Sequence, residues 1–146
     1  MALKEGDKAP EFKALKDLKG KNRVVLYFYP KDDTPGCTVE ACSFRDNIKK
    51  VQGLDAVVLG VSPDDEASHG KFIEKFKLPF TLLSDTDKRI CAAYGVWVKK
   101  SMYGKEYMGV ARTTFIIGRD GKIEKIYEKV KPEGHAQEVL DFLKNA

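Results

Sequence analysis

Val24-Val25-Leu26-Tyr27-Phe28-Tyr29-Pro30-Lys31-Asp32-Asp33-Thr34-Pro35-Gly36-Cys37-Thr38-Val39-Glu40-Ala41-Cys42 joins an unbroken apolar run to the start of a helix. Val24 to Phe28 is rich in strand formers and shows no polar alternation, as expected of a strand covered on both faces. Thr34 fits an N-cap, and Pro35 fits the first helical position, where a missing N–H costs nothing. Cys37 then lies in the first turn. Free backbone N–H groups and the positive end of the helix dipole favour a thiolate there, and the thiolate is the nucleophilic form of cysteine. The same position lies on the apolar face of the helix, so a small core residue is the competing reading.

The rest of the chain repeats this alternation of strand and helix. Val57-Val58-Leu59-Gly60-Val61 and Phe115-Ile116-Ile117 are two more apolar runs, and Gly118-Arg119-Asp120-Gly121 reads as a hairpin turn into Lys122 to Glu128. Cys37, Ala41, Phe44, Ile48 and Val51 share one helical face. Ser62 reads as an N-cap with Pro63 at the first helical position, opening a helix that carries Phe72, Ile73 and Phe76. Asp85 caps a short helix holding Ile90, Cys91 and Tyr94, and Pro132 opens a last helix with Ala136, Val139, Leu140 and Leu143 inward. Trp97 to Val110, with Gly104 and Gly109, is either an irregular excursion or an extra hairpin. His69 and His135 fall on polar helical surfaces, and Trp97 and Tyr103 read as core or loop packing, with the lining of a substrate mouth as the alternative. The order of elements predicts an α/β sandwich, a mixed central sheet with helices on both faces.

At 146 residues the chain fits one domain, 1–146, with a real core. Apolar residues make up 42% and charged residues 33%, which excludes a disordered chain. No apolar run reaches the ~20 residues of a membrane span, and Met1 to Gly6 holds no apolar signal core. The cytoplasm is the default compartment. The net charge of +4 comes from lysines interleaved with acids, with Lys49-Lys50 and Lys99-Lys100 as close pairs. That pattern reads as a solvated face, not a nucleic-acid surface.

Three cysteines cannot all pair within one chain. On a regular helix, residues 37 and 42 have Cα atoms about 8.6 Å apart, whereas a disulfide tolerates about 7 Å. A bond between Cys37 and Cys42, if it forms, therefore requires the helix start to unwind; otherwise Cys42 is a bystander on the helix flank. Cys91 reads as a buried, inert thiol, with a substitute resolving or intermolecular thiol as the alternative. With two histidines and no Cys-x-x-Cys pair, the chain has little to offer zinc.

These residues resemble the peroxiredoxins, thiol peroxidases of thioredoxin-like fold. Pro30, Thr34 and Cys37 match the Pro-x-x-x-Thr/Ser-x-x-Cys motif, Glu40 matches the acid three residues on, and Arg112 in Ala111-Arg112-Thr113-Thr114-Phe115 is similar to the distant active-site arginine. Cys42 marks the bacterioferritin comigratory protein, or peroxiredoxin Q, subgroup. The resemblance runs from about Gly6 to the last helix. It implies an antioxidant peroxidase in which Cys37 is the peroxidatic cysteine attacking hydrogen peroxide or an alkyl hydroperoxide. Arg112 and Thr34 hold the reacting atoms, helped by N–H groups near Gly36; Pro30 shields the pocket, and Glu40 orients Arg112. Cys42 resolves the sulfenic acid as an intramolecular Cys37–Cys42 disulfide, which a thioredoxin-like dithiol reopens. It implies no metal or organic cofactor, no nucleic acid or membrane partner, and a monomer, with a dimer as the alternative.

Overall fold

The structure is a computed structural model describing residues 3–145; Met1, Ala2 and Ala146 lie outside the described residues. The Val24–Phe28 run is the centre of the molecule. It forms β1 (Arg23–Phe28), buried at every position, in a five-stranded sheet. Its companions are β2 (Ala56–Ser62), β3 (Thr81–Ser84), β6 (Thr113–Ile117) and β7 (Ile123–Tyr127), in the order β3-β2-β1-β6-β7. β1 pairs in parallel with β2 and β2 with β3, while β6 runs antiparallel to β1 and to β7, so the sheet is mixed.

The period of two along β1 separates two cores. Val25, Tyr27 and Tyr29 pack with Phe44, Val51, Phe72, Val139 and Leu140 from α2 (Pro35–Asp46), α3 (Ile48–Gly53), α4 (Glu66–Phe76) and α6 (His135–Asn145). Val24, Leu26 and Phe28 pack on the other face with Leu15 of α1 (Lys13–Leu18), Cys91 of α5 (Arg89–Ala93) and Tyr94. This is the α/β sandwich with a mixed central sheet that the strand–helix alternation predicts, and the thioredoxin-like fold that the family resemblance implies. Among the described residues no helix is long and apolar enough to cross a membrane.

Several local expectations are corrected. The face from Cys37 to Val51 is split between α2 and α3, because Asn47 leaves helical geometry (φ −113°, ψ 8°) and its side-chain amide donates back to the Ser43 carbonyl. Ser62 ends β2 and does not cap α4; Asp65 does, accepting from Ser68 N–H. Pro132 lies before α6, which begins at His135. Asp85 does satisfy the start of α5, accepting from the N–H groups of Ile90 and Cys91. Trp97–Val110 is a regular hairpin, β4 (Trp97–Met102) and β5 (Lys105–Val110), turned through Tyr103 and Gly104, both at positive φ. Tyr103, at that tip, is 98% exposed and packs on nothing.

The largest correction concerns the histidines, which are buried. His69 on α4 joins Phe72, Ile73 and Phe76 on one stripe and reaches the loop after β1. Nδ1 faces the Asp32 carboxylate at 2.7 Å and Nε2 faces the Leu83 carbonyl at 3.0 Å. Only an imidazolium donates to both. Burial opposes that charge, but the Asp32 hydrogen bond and carboxylate outweigh it and raise His69 above its ordinary range, with Asp64 adding to the same direction. Burial likewise opposes the Asp32 anion, but donation from His69, Tyr29 and Ser68 holds it below its ordinary range.

The His69–Asp32 pair is fully formed between the unfolded values of its two members. Its stability contribution is lost as pH rises through the folded His69 value, above about 6.5, and as pH falls through the folded Asp32 value, below about 3.9. His69→Ala should therefore cost about 3–5 kcal/mol in urea unfolding at pH 6, by stranding a buried carboxylate. The gap to the parent should narrow toward alkaline pH. A gap that stays level or widens between pH 6 and pH 8 would show that His69 is neutral in the fold.

Candidate active site

α2 begins where β1 ends, and that junction holds the site. Thr34 is the N-cap in extended backbone (φ −95°, ψ 156°), Pro35 opens the helix, and Cys37 is buried in the first turn. The Thr34 hydroxyl does not cap. It donates to the Lys31 carbonyl at 3.0 Å, closing the loop instead. The N–H groups of Gly36 and Cys37 are thus left without a side-chain acceptor at the helix mouth.

Arg112 reaches this mouth from 75 residues away. The antiparallel register pairs Phe28 with Thr113, so the end of β1 and the start of β6 are neighbours, and the Ala111-Arg112 link passes beside α2. The Arg112 carbonyl accepts from Val130 N–H, which pins the link. The guanidinium divides its donors: Nη2 donates to Cys37 Sγ at 3.2 Å and Nη1 to Glu40 Oε1 at 2.7 Å. Cys37 and Glu40 are one helical turn apart on α2, so one planar fork spans both. Gly36 makes room for it, since a Cβ there would stand 3.3 Å from Arg112 Nη2.

Glu40 is completely buried. Burial pushes its carboxyl up to about 7, against the opposing charge and hydrogen bond of Arg112. Its Oε2 has no hydrogen-bond partner, and neither has the buried Tyr27 hydroxyl. Burial disfavours the Arg112 charge, but Glu40 and Cys37 together raise it above its ordinary range. Lys100 of the hairpin is the cation that sequence reading treated as solvated. Burial and the like charge of Arg112 hold its ammonium below the ordinary range, whereas its neighbour Lys99 is exposed and pairs with Glu106 at 2.7 Å.

Of the sequence-predicted residues, Cys37, Glu40, Arg112 and Gly36 meet in one constellation. Pro30 follows β1 half-buried, and Thr34 stands at the helix mouth with its proton directed to Lys31. Cys42 lies five residues on in the same helix, half-buried and free, as Cys37 is. Cys91 is buried and free on the opposite face of the sheet, and burial with the Asp85 carboxylate pushes its thiol up. Sequence reasoning missed His69 and Asp32, although spacing 69, 72, 73, 76 carried a helical-stripe signal. Asp32, Asp64 and His69 also bring potential metal-ligand atoms within 4.8 Å of one another. These atoms are engaged by the Ser62 and Ser68 hydroxyls, Asp32 N–H and each other, so the group reads as a hydrogen-bond network.

The AhpC/TSA family model matches residues 3–126. The peroxiredoxin Bcp of Bacillus subtilis (strain 168) is 48% identical, covering 99% of this chain and 98% of its own. A cysteine-to-serine mutant of Xylella fastidiosa PrxQ superposes with a TM-score of 0.93 at 36% identity, covering 99% of this chain and 98% of that one. The Xanthomonas campestris bacterioferritin comigratory protein, described for alkyl peroxide reduction activity, superposes with a TM-score of 0.86 at 36% identity over 95% of this chain and 98% of that one.

Gly36→Ala tests the geometry of the fork. Arg112 is tethered at both ends, so the added methyl displaces the guanidinium by a few tenths of an ångström. The expected outcome is a roughly tenfold slower reaction of Cys37 with hydrogen peroxide, with no fall in the thermal midpoint, because alanine favours the helix. An unchanged rate would show that the fork has slack.

Proposed function

The chain belongs to the Bcp/peroxiredoxin Q family of AhpC/TSA peroxiredoxins and is a thiol-dependent peroxidase, an antioxidant oxidoreductase; on that premise we propose how its residues divide the reaction. Cys37 Sγ attacks the O–O bond of hydrogen peroxide or an alkyl hydroperoxide, becomes a sulfenic acid and releases water or alcohol. The observation that carries this reading is the charge-assisted Arg112–Cys37 contact at a helix mouth whose N–H groups have no side-chain acceptor. Arg112 and the N–H groups of Gly36 and Cys37 stabilise negative charge on sulfur and on the departing oxygen. The Thr34 hydroxyl, with its proton given to Lys31, offers lone pairs to the hydroperoxide O–H. Pro30 shields the sulfenic acid, and Glu40 orients Arg112.

Cys42 resolves the sulfenic acid. Both thiols sit in α2, so the first turns of that helix unwind before the Cys37–Cys42 disulfide closes. A dithiol reductant of thioredoxin type reopens the bond. Resolution within one chain needs no partner subunit, so the working unit is a monomer. The compartment is the cytoplasm, where dithiol reductants are maintained. Slow resolution under excess peroxide drives Cys37 to the sulfinic acid.

The test is peroxide consumption with a recycling dithiol. Cys37→Ser should be inactive. Cys42→Ser should form the sulfenic acid at the parent rate and fail to recycle through an internal disulfide; undiminished thioredoxin-driven turnover would remove its resolving role. Arg112→Ala should slow Cys37 oxidation by about 10²–10³, and an unchanged rate would remove Arg112 from the reaction.

A further inference from the structure

We infer that Glu40 stores a proton that balances the one taken up by the leaving oxygen, being a carboxylic acid while Cys37 is a thiolate and a carboxylate once Cys37 is a sulfenic acid. The inference rests on the peroxidatic reading of Cys37 and adds a coupling between the redox state of the sulfur and the protonation of a buried carboxyl.

The geometry presents one cation to two anions. Arg112 donates through Nη1 to Glu40 Oε1 and through Nη2 to Cys37 Sγ. Glu40 is 0% exposed and its Oε2 has no partner. A buried carboxylate with one bare oxygen is costly, and a proton on Oε2 removes most of that cost. When Cys37 reacts as the thiolate nucleophile, Arg112 faces two acceptors at once, and a second full negative charge beside it is disfavoured. Oxidation to the neutral sulfenic acid removes the competing anion and leaves the whole charge of Arg112 to Glu40, which then ionises. Burial already holds this carboxyl at about 7, so a modest change in its neighbour moves it across neutrality.

The balance closes. The thiolate, ROOH and the Glu40 carboxylic acid give the sulfenic acid, ROH and the Glu40 carboxylate. The S–O bond forms as the O–O bond breaks, sulfur gives up two electrons, RO⁻ takes a proton from solvent, and Glu40 returns one proton to solvent as it ionises. Net charge stays at minus one on both sides, apart from Arg112. Glu40 touches no reacting atom; it is a positioning and charge-storing residue.

The other groups around it do not substitute for it. Tyr27 from β1 is neutral, held well above its ordinary range first by burial and then by the charges of Glu40, Cys37 and Asp32. His135 from α6 is held below its ordinary range by burial, despite Glu138, with Arg112 adding to the fall. Lys100 from the hairpin is a like charge to Arg112, and burial with that charge holds its ammonium below the ordinary range.

The test uses Cys42→Ser, which halts at the sulfenic acid, with and without Glu40→Gln. One equivalent of hydrogen peroxide is added in weak buffer with a pH indicator, and sulfenic acid is counted by dimedone adduct mass. At pH 7 the parent pair should take up about half a proton less per sulfenic acid than the Glu40→Gln protein, and the difference should vanish by pH 9. Equal uptake at pH 7 overturns the inference while leaving the peroxidase reading intact; absence of any dimedone adduct overturns that reading itself. Infrared difference spectra of Cys42→Ser alone should lose a carboxylic acid band on oxidation and gain a carboxylate, which keeps the test open if Glu40→Gln does not fold. No such loss overturns the inference as well.

Discussion

A single guanidinium ties the site together. Arg112 holds Cys37 and Glu40 with two arms of one rigid fork, and each surrounding feature serves that arrangement. The antiparallel β1–β6 register delivers Arg112 to the end of β1. The missing side chain at Gly36 lets the fork approach the helix. The helical turn between residues 37 and 40 sets the spacing of its two acceptors. Lysine cannot replace it, because a point charge has no second arm at fixed angle.

The same helix must be firm for the reaction and loose afterwards. In the proposed cycle α2 presents Cys37 in an ordered first turn, then opens to let Cys42 reach it. The fold limits how far that opening spreads. Downstream, Ala41 and Phe44 are buried in the main core, with Phe44 stacked on Tyr27. Upstream, Asp32 is fastened to His69, Tyr29 and Ser68. Between these anchors the helix start lacks a side-chain cap, since Thr34 is engaged with Lys31. The turn that melts is thus the least secured part of the segment.

β1, β2 and β6 were plain in the chain because a strand covered on both faces shows an uninterrupted apolar run, whereas β3, β4 and β5 carry none. The break at Asn47 was not, since the spacing of Phe44, Ile48 and Val51 suits one helix as well as two short ones. His69 and His135 were misplaced through their polarity: each lies on its helix's apolar stripe and is satisfied there by partners from distant segments. Lys100 was misplaced for a related reason, because nothing local distinguishes it from Lys99; only the hairpin's position turns it toward Arg112.

Local sequence determined the strand–turn–helix that puts Cys37 at a helix mouth, because caps, proline positions and apolar runs act over a few residues. It also set the five-residue offset of Cys42, which makes unwinding a condition of any bond between the two thiols. What surrounds the sulfur was decided by tertiary structure alone. The burial of Glu40, the bare Oε2 and the shared guanidinium all depend on chain segments 75 residues apart meeting where the central strands β1 and β6 pair. Desolvation and Coulomb energies follow distance in space, and no spacing along the chain encodes them.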